Sequence, residues 1–201
     1  MSKTQSTIMK DIRKRQNPND VIYTPEDVAK IMIKLCKIKK GETVLDPSKG
    51  GGVFYNNFPK NCIKDYCEIT ENKDFFEYNE KVDWVIGNPP YSLWDKWLEH
   101  TMKITNKFCY ILGCHNFTPP RISKILNNGF GITNFILLKV NWWFSTSFVV
   151  VFEKNKKSII KAEPKRFYCD ICKKRCYRGL MHKGKKYGMN ECSNKSNKED
   201  L

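Results

Sequence analysis

Thr43-Val44-Leu45-Asp46-Pro47-Ser48-Lys49-Gly50-Gly51-Gly52 is the stretch on which the reading of the fold turns. Thr43-Val44-Leu45 is a short apolar run rich in β-branched residues, which predicts a buried strand. Pro47 cannot continue that strand. Three glycines then let a ligand approach the backbone closely. In open α/β sheets, ligands bind outside the carboxyl ends of the strands. Glu68 stands 22 residues beyond Asp46, at the end of the next predicted strand, Asp65 to Ile69. An acid about 20 residues after such a loop is where a ribose diol is held. No Gly-Lys-Ser/Thr ending is present, so this is not a P-loop. The bland alternative is a glycine-rich turn between strand and helix, with a surface glutamate beyond it.

Outward from this stretch, strands and helices alternate. Upstream, Thr24-Pro25-Glu26-Asp27 reads as a helix start, with Thr24 as N-cap, Pro25 at the first helical position and acids in the first turn. Val28, Ile31, Met32 and Leu35 form that helix's apolar stripe. Downstream, Trp84 to Gly87 and Phe108 to Leu112 are buried strands flanking an amphipathic helix with Trp94 and Trp97 on its packing face. A helix after Thr118-Pro119-Pro120 closes at Asn128-Gly129. Phe135 to Val140 and Phe148 to Phe152 then pair as a hairpin around Asn141 to Thr146. This alternation predicts a mostly parallel sheet covered on both faces, with an antiparallel strand from the hairpin. His100, His115 and the five cysteines Cys36, Cys62, Cys67, Cys109 and Cys114 are expected to be structural.

The strand ending at Gly87 runs into Asn88-Pro89-Pro90-Tyr91. Two prolines force an extended loop there. The loop presents an amide side chain, a proline carbonyl and an aromatic ring side by side. The oxygens accept hydrogens from a planar amino group, and the ring stacks on its π system.

Asp46-Pro47-x-x-Gly50-x-Gly52-x-Phe54 followed by Asn88-Pro89-Pro90-Tyr91 resembles the S-adenosylmethionine-dependent N6-adenine methyltransferases. Tyr23-Thr24-Pro25 resembles the N-terminal cofactor motif of the same enzymes, and the likeness covers about Val21 to Glu153. The fold it implies is a Rossmann-like class I methyltransferase sheet. It implies that Tyr23, Thr24 and Asp46 lie near the amino-acid end of S-adenosylmethionine and that Pro47 is also a cofactor-binding residue. Gly50 and Gly52 would allow backbone contacts, Glu68 would hold the ribose, and Asp74 with the Phe75 backbone would read the cofactor's adenine. Asn88, Pro89, Pro90 and Tyr91 become the catalytic loop, and Trp143 or Phe144 joins Tyr91 in sandwiching a flipped base. Trp142 is expected to seal the core. The implied reaction is adenine N6 methylation in DNA. RNA is the alternative, and a protein-glutamine methyltransferase is a more distant one, since such enzymes also carry Asn-Pro-Pro-Tyr. A catalytically dead nucleic-acid-binding protein is disfavoured by the intact motifs.

The chain has 36 Lys and Arg against 21 Asp and Glu, a net charge of +15. This favours a polyanionic partner such as nucleic acid. Of that charge, +9 falls in residues 155–201, which hold 14 Lys and Arg and 5 Asp and Glu. The same region carries Cys169, Cys172, Cys176 and Cys192 in 24 polar residues, with His182 between them. A Cys-x-x-Cys pair with two further soft ligands suits structural zinc, with His182 able to replace Cys176 or Cys192. The expected domains are a basic arm (1–20), a catalytic domain (21–154), a linker (155–166), a zinc-ribbon-like module (167–193) and a tail (194–201). No apolar leader or membrane span is evident, so an intracellular setting is expected: cytoplasm, nucleoid or nucleus, with a viral or phage origin compatible. A protein partner that supplies specificity is also compatible with so small a catalytic part.

Overall fold

The computed structural model describes residues 22–140, 143 and 146–162, together with the backbone of 181–182 and 185–186. Two compact units divide between Glu163 and Pro164. The first holds a six-stranded sheet in the order β2-β1-β3-β4-β6-β5. Its strands are β1 (Thr43–Asp46), β2 (Ile63–Tyr66), β3 (Trp84–Gly87), β4 (Lys107–Gly113), β5 (Phe130–Leu138) and β6 (Ser147–Lys154). β1 to β4 run parallel, and β6 enters antiparallel between β4 and β5. The expected hairpin is present, with β5 starting five residues before Phe135, directly after Gly129.

The helices are α1 (Glu26–Cys36), α2 (Val53–Asn57), α3 (Trp94–Ile104) and α4 (Pro119–Asn127). Successive side chains of a strand point to opposite faces, and this splits the core into two layers. Phe108, Tyr110 and Leu112 of β4 join Leu45, Val85, Val150 and Phe152 beneath α3 and α4. Cys109 and Ile111 join Val44, Ile86, Val149 and Val151 beneath α1 and α2. Trp94 and Trp97 are buried in the first layer, as their helical spacing predicts. Each fully buried side chain of this size contributes about 1.5–3 kcal/mol. Cys36, Cys67 and Cys109 are buried apolar fillers, while Cys62 and Cys114 are half-buried. His100 lies edge-on to Phe75 and its Nε2 is 2.9 Å from the Tyr78 carbonyl, a packing role.

Three local expectations are corrected. The residue capping α1 is Pro25 rather than Thr24, because Pro25 keeps extended backbone (ψ 145°) while its carbonyl accepts the first helical bond from Ala29. β2 spans Ile63–Tyr66, ahead of the expected Asp65 to Ile69, because the chain turns away after Cys67 and Glu68 pairs with Lys73 instead. Residues 156–160, read as linker, are fastened to β5. Ile159 N–H donates to Ile132 O at 2.9 Å, and Ser158 Oγ accepts from Ile132 N at 3.2 Å.

In the second unit, β7 (Met181–His182) pairs antiparallel with β8 (Lys185–Lys186). The proposed metal ligands Cys169, Cys172, Cys176 and Cys192 lie outside the described residues, as does the His182 side chain. Among the described residues no cluster of His, Cys, Asp or Glu could hold a metal ion, and no helix is long and apolar enough to cross a membrane.

Candidate active site

β1 has β2 on one side and β3 on the other, so the chain changes direction across the sheet at β1. A crevice opens at such a switch point, outside the strand ends. The candidate residues from three separate stretches meet there. Ser48 Oγ donates to Asn88 O at 3.1 Å, joining the glycine loop to the loop after β3. Asn88 Nδ2 donates to Ile22 O at 3.0 Å, joining that loop to the N-terminal segment. The Tyr23 ring lies over Gly51, 3.6 Å from where a Cβ on that glycine would be. Thr24 and Pro47 are buried beside them.

The glycine loop folds as it does because Gly50 and Gly52 take positive φ values of 50° and 79°. Side chains are strained in that region. Gly52 then starts α2. Asp46, fully buried at the end of β1, accepts from Ser48 N–H and Tyr55 N–H, each at 3.3 Å. It thereby ties the strand end to α2. Burial raises its pKa from the ordinary 3.8 to about 7, although the two N–H bonds pull the other way. A raised carboxyl pKa favours the neutral form in the ligand-free protein below about pH 7. The stability it gives is complete below pH 3.8 and is lost as pH rises through about 7. The thermal midpoint of the ligand-free protein is therefore expected to fall between pH 5 and pH 8, as followed by circular dichroism. Asp46→Asn should flatten that slope, and an unchanged slope would refute the assignment.

Glu68 accepts Gly50 N–H at 2.7 Å and both Thr70 N–H and Thr70 Oγ1, at 3.1 and 2.7 Å. Partial burial would raise its pKa, but the bonds from Thr70 and Gly50 outweigh this and hold it below the usual range. It is an ionised acceptor directly beside the glycine loop. Asp74 caps the short turn Phe75–Glu77 through Phe76 N–H at 2.9 Å. Phe75 is buried and stacks on Trp97 at 4.3 Å, so its backbone is fixed.

Asn88 Oδ1 is buried and has no hydrogen-bond partner. Buried acceptors are nearly always satisfied, so this one marks a place for a donor. Pro89 is buried beside it, and the Tyr91 hydroxyl reaches the Ile111 carbonyl at 3.5 Å. Trp143 is half-buried against the α1/α2 layer, whereas Trp142 and Phe144 lie outside the described residues.

Sequence reasoning missed three features. Ser48 links the two motifs, and its only signal was a hydroxyl inside the glycine loop. Ile69 follows Glu68 directly and is 73% exposed, an apolar side chain standing beside the ribose candidate. Lys49, unexplained by the motif, pairs with Glu71 at 2.6 Å.

No protein-family model matches the sequence, and no curated protein does. Solved structures match in fold. One chain assigned as the modification subunit of a type I restriction enzyme, from Vibrio vulnificus, superposes with a TM-score of 0.54 at 14% identity, over 76% of this chain and 48% of that one. Mtq2 of the E. cuniculi Mtq2–Trm112 complex, responsible for methylation of the eRF1 termination factor, matches with a TM-score of 0.53 at 16% identity, over 67% and 99%. A chain assigned as an RNA methyltransferase from Pyrococcus horikoshii matches with a TM-score of 0.51 at 16% identity, over 74% and 98%. The chain shares the fold of these methyltransferases. The protein thus spans about half the length of the restriction-system subunit and nearly all of the two smaller enzymes.

Proposed function

We propose that this chain transfers a methyl group from S-adenosylmethionine to the N6 amino group of adenine in DNA. The observation that carries the reading is the unpartnered buried Asn88 Oδ1 at the sheet's switch point, on a residue whose backbone carbonyl accepts from Ser48 of the glycine loop. The crevice suits the cofactor. Gly50 and Gly52 leave the backbone open to it, Glu68 offers an ionised acceptor for a diol, and Asp46 offers a carboxyl that a bound cationic group would ionise. When bound, S-adenosylmethionine supplies an electrophilic methyl on sulfonium, so transfer needs no metal.

The adenine N6 lone pair is delocalised into its ring and is a weak nucleophile. Asn88 Oδ1 and the Pro89 carbonyl accept the two N6 hydrogens and draw the nitrogen towards tetrahedral geometry; as the N–CH3 bond forms the S–CH3 bond breaks, S-adenosylhomocysteine leaves, and one N6 proton passes to solvent. That stabilises the transition state more than the ground state. The Ser48 bridge keeps acceptor and donor sites in register, which is where positioning contributes. Tyr91 stacks on the base, and the Trp143–Phe144 loop supplies the opposing face. A base within a duplex must first be flipped out, at a cost of a few kcal/mol. The basic charge of residues 155–201 holds the phosphate backbone.

Incubation of the full chain with tritiated S-adenosylmethionine and, in turn, duplex DNA, single-stranded DNA and total RNA decides the substrate. N6-methyladenine in DNA is the expected product. Label confined to RNA would move the substrate to RNA, and label on protein alone would overturn the nucleic-acid reading in favour of the chemistry named for the Mtq2 complex. Cys169, Cys172, Cys176 and Cys192 are proposed to bind one structural zinc, with His182 able to replace Cys176 or Cys192. Metal analysis of freshly reduced protein should give one equivalent, and unfolding of the module on chelation would follow; metal-free folded protein would refute this.

A further inference from the structure

The methyltransferase motif has no need of a lysine between Ser48 and Gly50, yet Lys49 is the centre of a built cluster. Its ammonium pairs with Glu71 Oε1 at 2.6 Å, and Tyr66 Oη donates to Glu71 Oε2 at 2.7 Å. Both Lys49 and Lys73 stand 3.9 Å from the Tyr66 ring centroid. The Lys49 side chain is only 22% exposed. An isolated surface pair contributes little. A carboxylate bonded at both oxygens, beside a cation stacked on an aromatic ring, is held in one geometry.

The segment carrying Glu71 also carries Glu68, and it closes on itself. Glu68 N–H donates to Lys73 O at 2.9 Å, Lys73 N–H to Glu68 O at 3.1 Å, and Glu71 N–H to Glu68 O at 2.9 Å. Residues 68–73 therefore move as a unit, and whatever fixes Glu71 fixes Glu68. Glu68's direct tie to the glycine loop is the bond from Gly50 N–H to Oε2. A ligand hydroxyl arriving at that carboxylate must share or displace this bond, whereas the Lys49–Glu71 pair is untouched by it.

We infer that Lys49 is a positioning residue that clamps the Glu68 loop to the glycine loop, so that the Glu68 carboxylate is already placed for a ribose diol. This rests on the cofactor reading above. Lys49 is distinct from the transfer machinery, since the glycine-loop contact to Asn88 is made by Ser48.

The test is calorimetric titration of the full chain with S-adenosylhomocysteine and with its 2′,3′-dideoxy analogue. Lys49→Met should weaken S-adenosylhomocysteine by about tenfold, the scale of a hydrogen bond to a charged group. The dideoxy analogue, which offers Glu68 no diol, should be nearly unaffected. Lys49→Arg should restore most of the discrimination. Glu71→Gln removes the same ion pair from the other side and leaves the glycine loop intact, so it should reproduce the Met variant even if that variant folds poorly. Equal weakening of both ligands, or wild-type affinity in both variants, would overturn the clamp while leaving the cofactor reading standing. If the wild-type chain binds neither ligand, the cofactor reading falls and the clamp with it.

Discussion

Asn88→Ala is expected to lower methyl transfer by about 10²- to 10³-fold, the scale for losing one preorganised group that acts on the reacting atom. The effect should lie in the rate of the chemical step, measured in single turnovers with saturating cofactor, while cofactor affinity stays near the wild-type value. The reason is geometric. Asn88 Oδ1 is the buried acceptor left open at the site, whereas the residues proposed to hold the cofactor are Asp46, Gly50, Gly52 and Glu68. Asn88 also tethers the N-terminal segment through Nδ2 and Ile22 O. Asn88→Asp separates the two roles, because it keeps acceptor oxygens and loses that donor. It should retain more activity than Asn88→Ala. Wild-type rates in the Ala variant would remove Asn88 from the mechanism.

Gly131→Ala should be the most damaging single-methyl change in the sheet. A Cβ on Gly131 would stand 2.0 Å from the Lys156 carbonyl oxygen, and 2.8 and 2.9 Å from the carbonyl carbons of Lys156 and Lys157. These are backbone atoms, held by the Ser158 and Ile159 bonds to Ile132, so no side-chain rotation relieves the clash. The expected loss is about 3 kcal/mol, at the upper end for overpacking. Urea unfolding of the Ala variant should show a clearly lower midpoint; an unchanged midpoint would mean that residues 156–160 are not fixed to β5 in solution.

The strands Thr43–Asp46, Trp84–Gly87 and Lys107–Gly113 were legible because they are buried on both faces and read as continuous apolar runs. β2 was placed too late because it is an edge strand with exposed Ile63 and Lys64, and the run Tyr66-Cys67-Glu68-Ile69 imitates its pattern. Thr24 looked like a cap because threonine usually is one; here Pro25 holds the cap position and its carbonyl begins the helix. The residues of the crevice were legible as types, since Asp46, the glycines and Asn88 each stand at a strand end. What joins them was not. The Ser48–Asn88 and Asn88–Ile22 bonds span 40 and 66 residues, and nothing local announces such a pairing. Residues 155–162 read as linker because their composition is polar, although Ile160 and Ala162 pack against the core.

Gly87 has a consequence for how this sequence can change over time. A Cβ there would approach the Pro47 ring to 3.0 Å, so β3 and the start of the glycine loop fit a larger residue at position 87 only if that ring gives by a few tenths of an ångström. The two halves of the crevice are thus not free to drift separately. In diverging descendants, a larger residue at position 87 should arise more often alongside replacement of Pro47, and the pair is expected to covary.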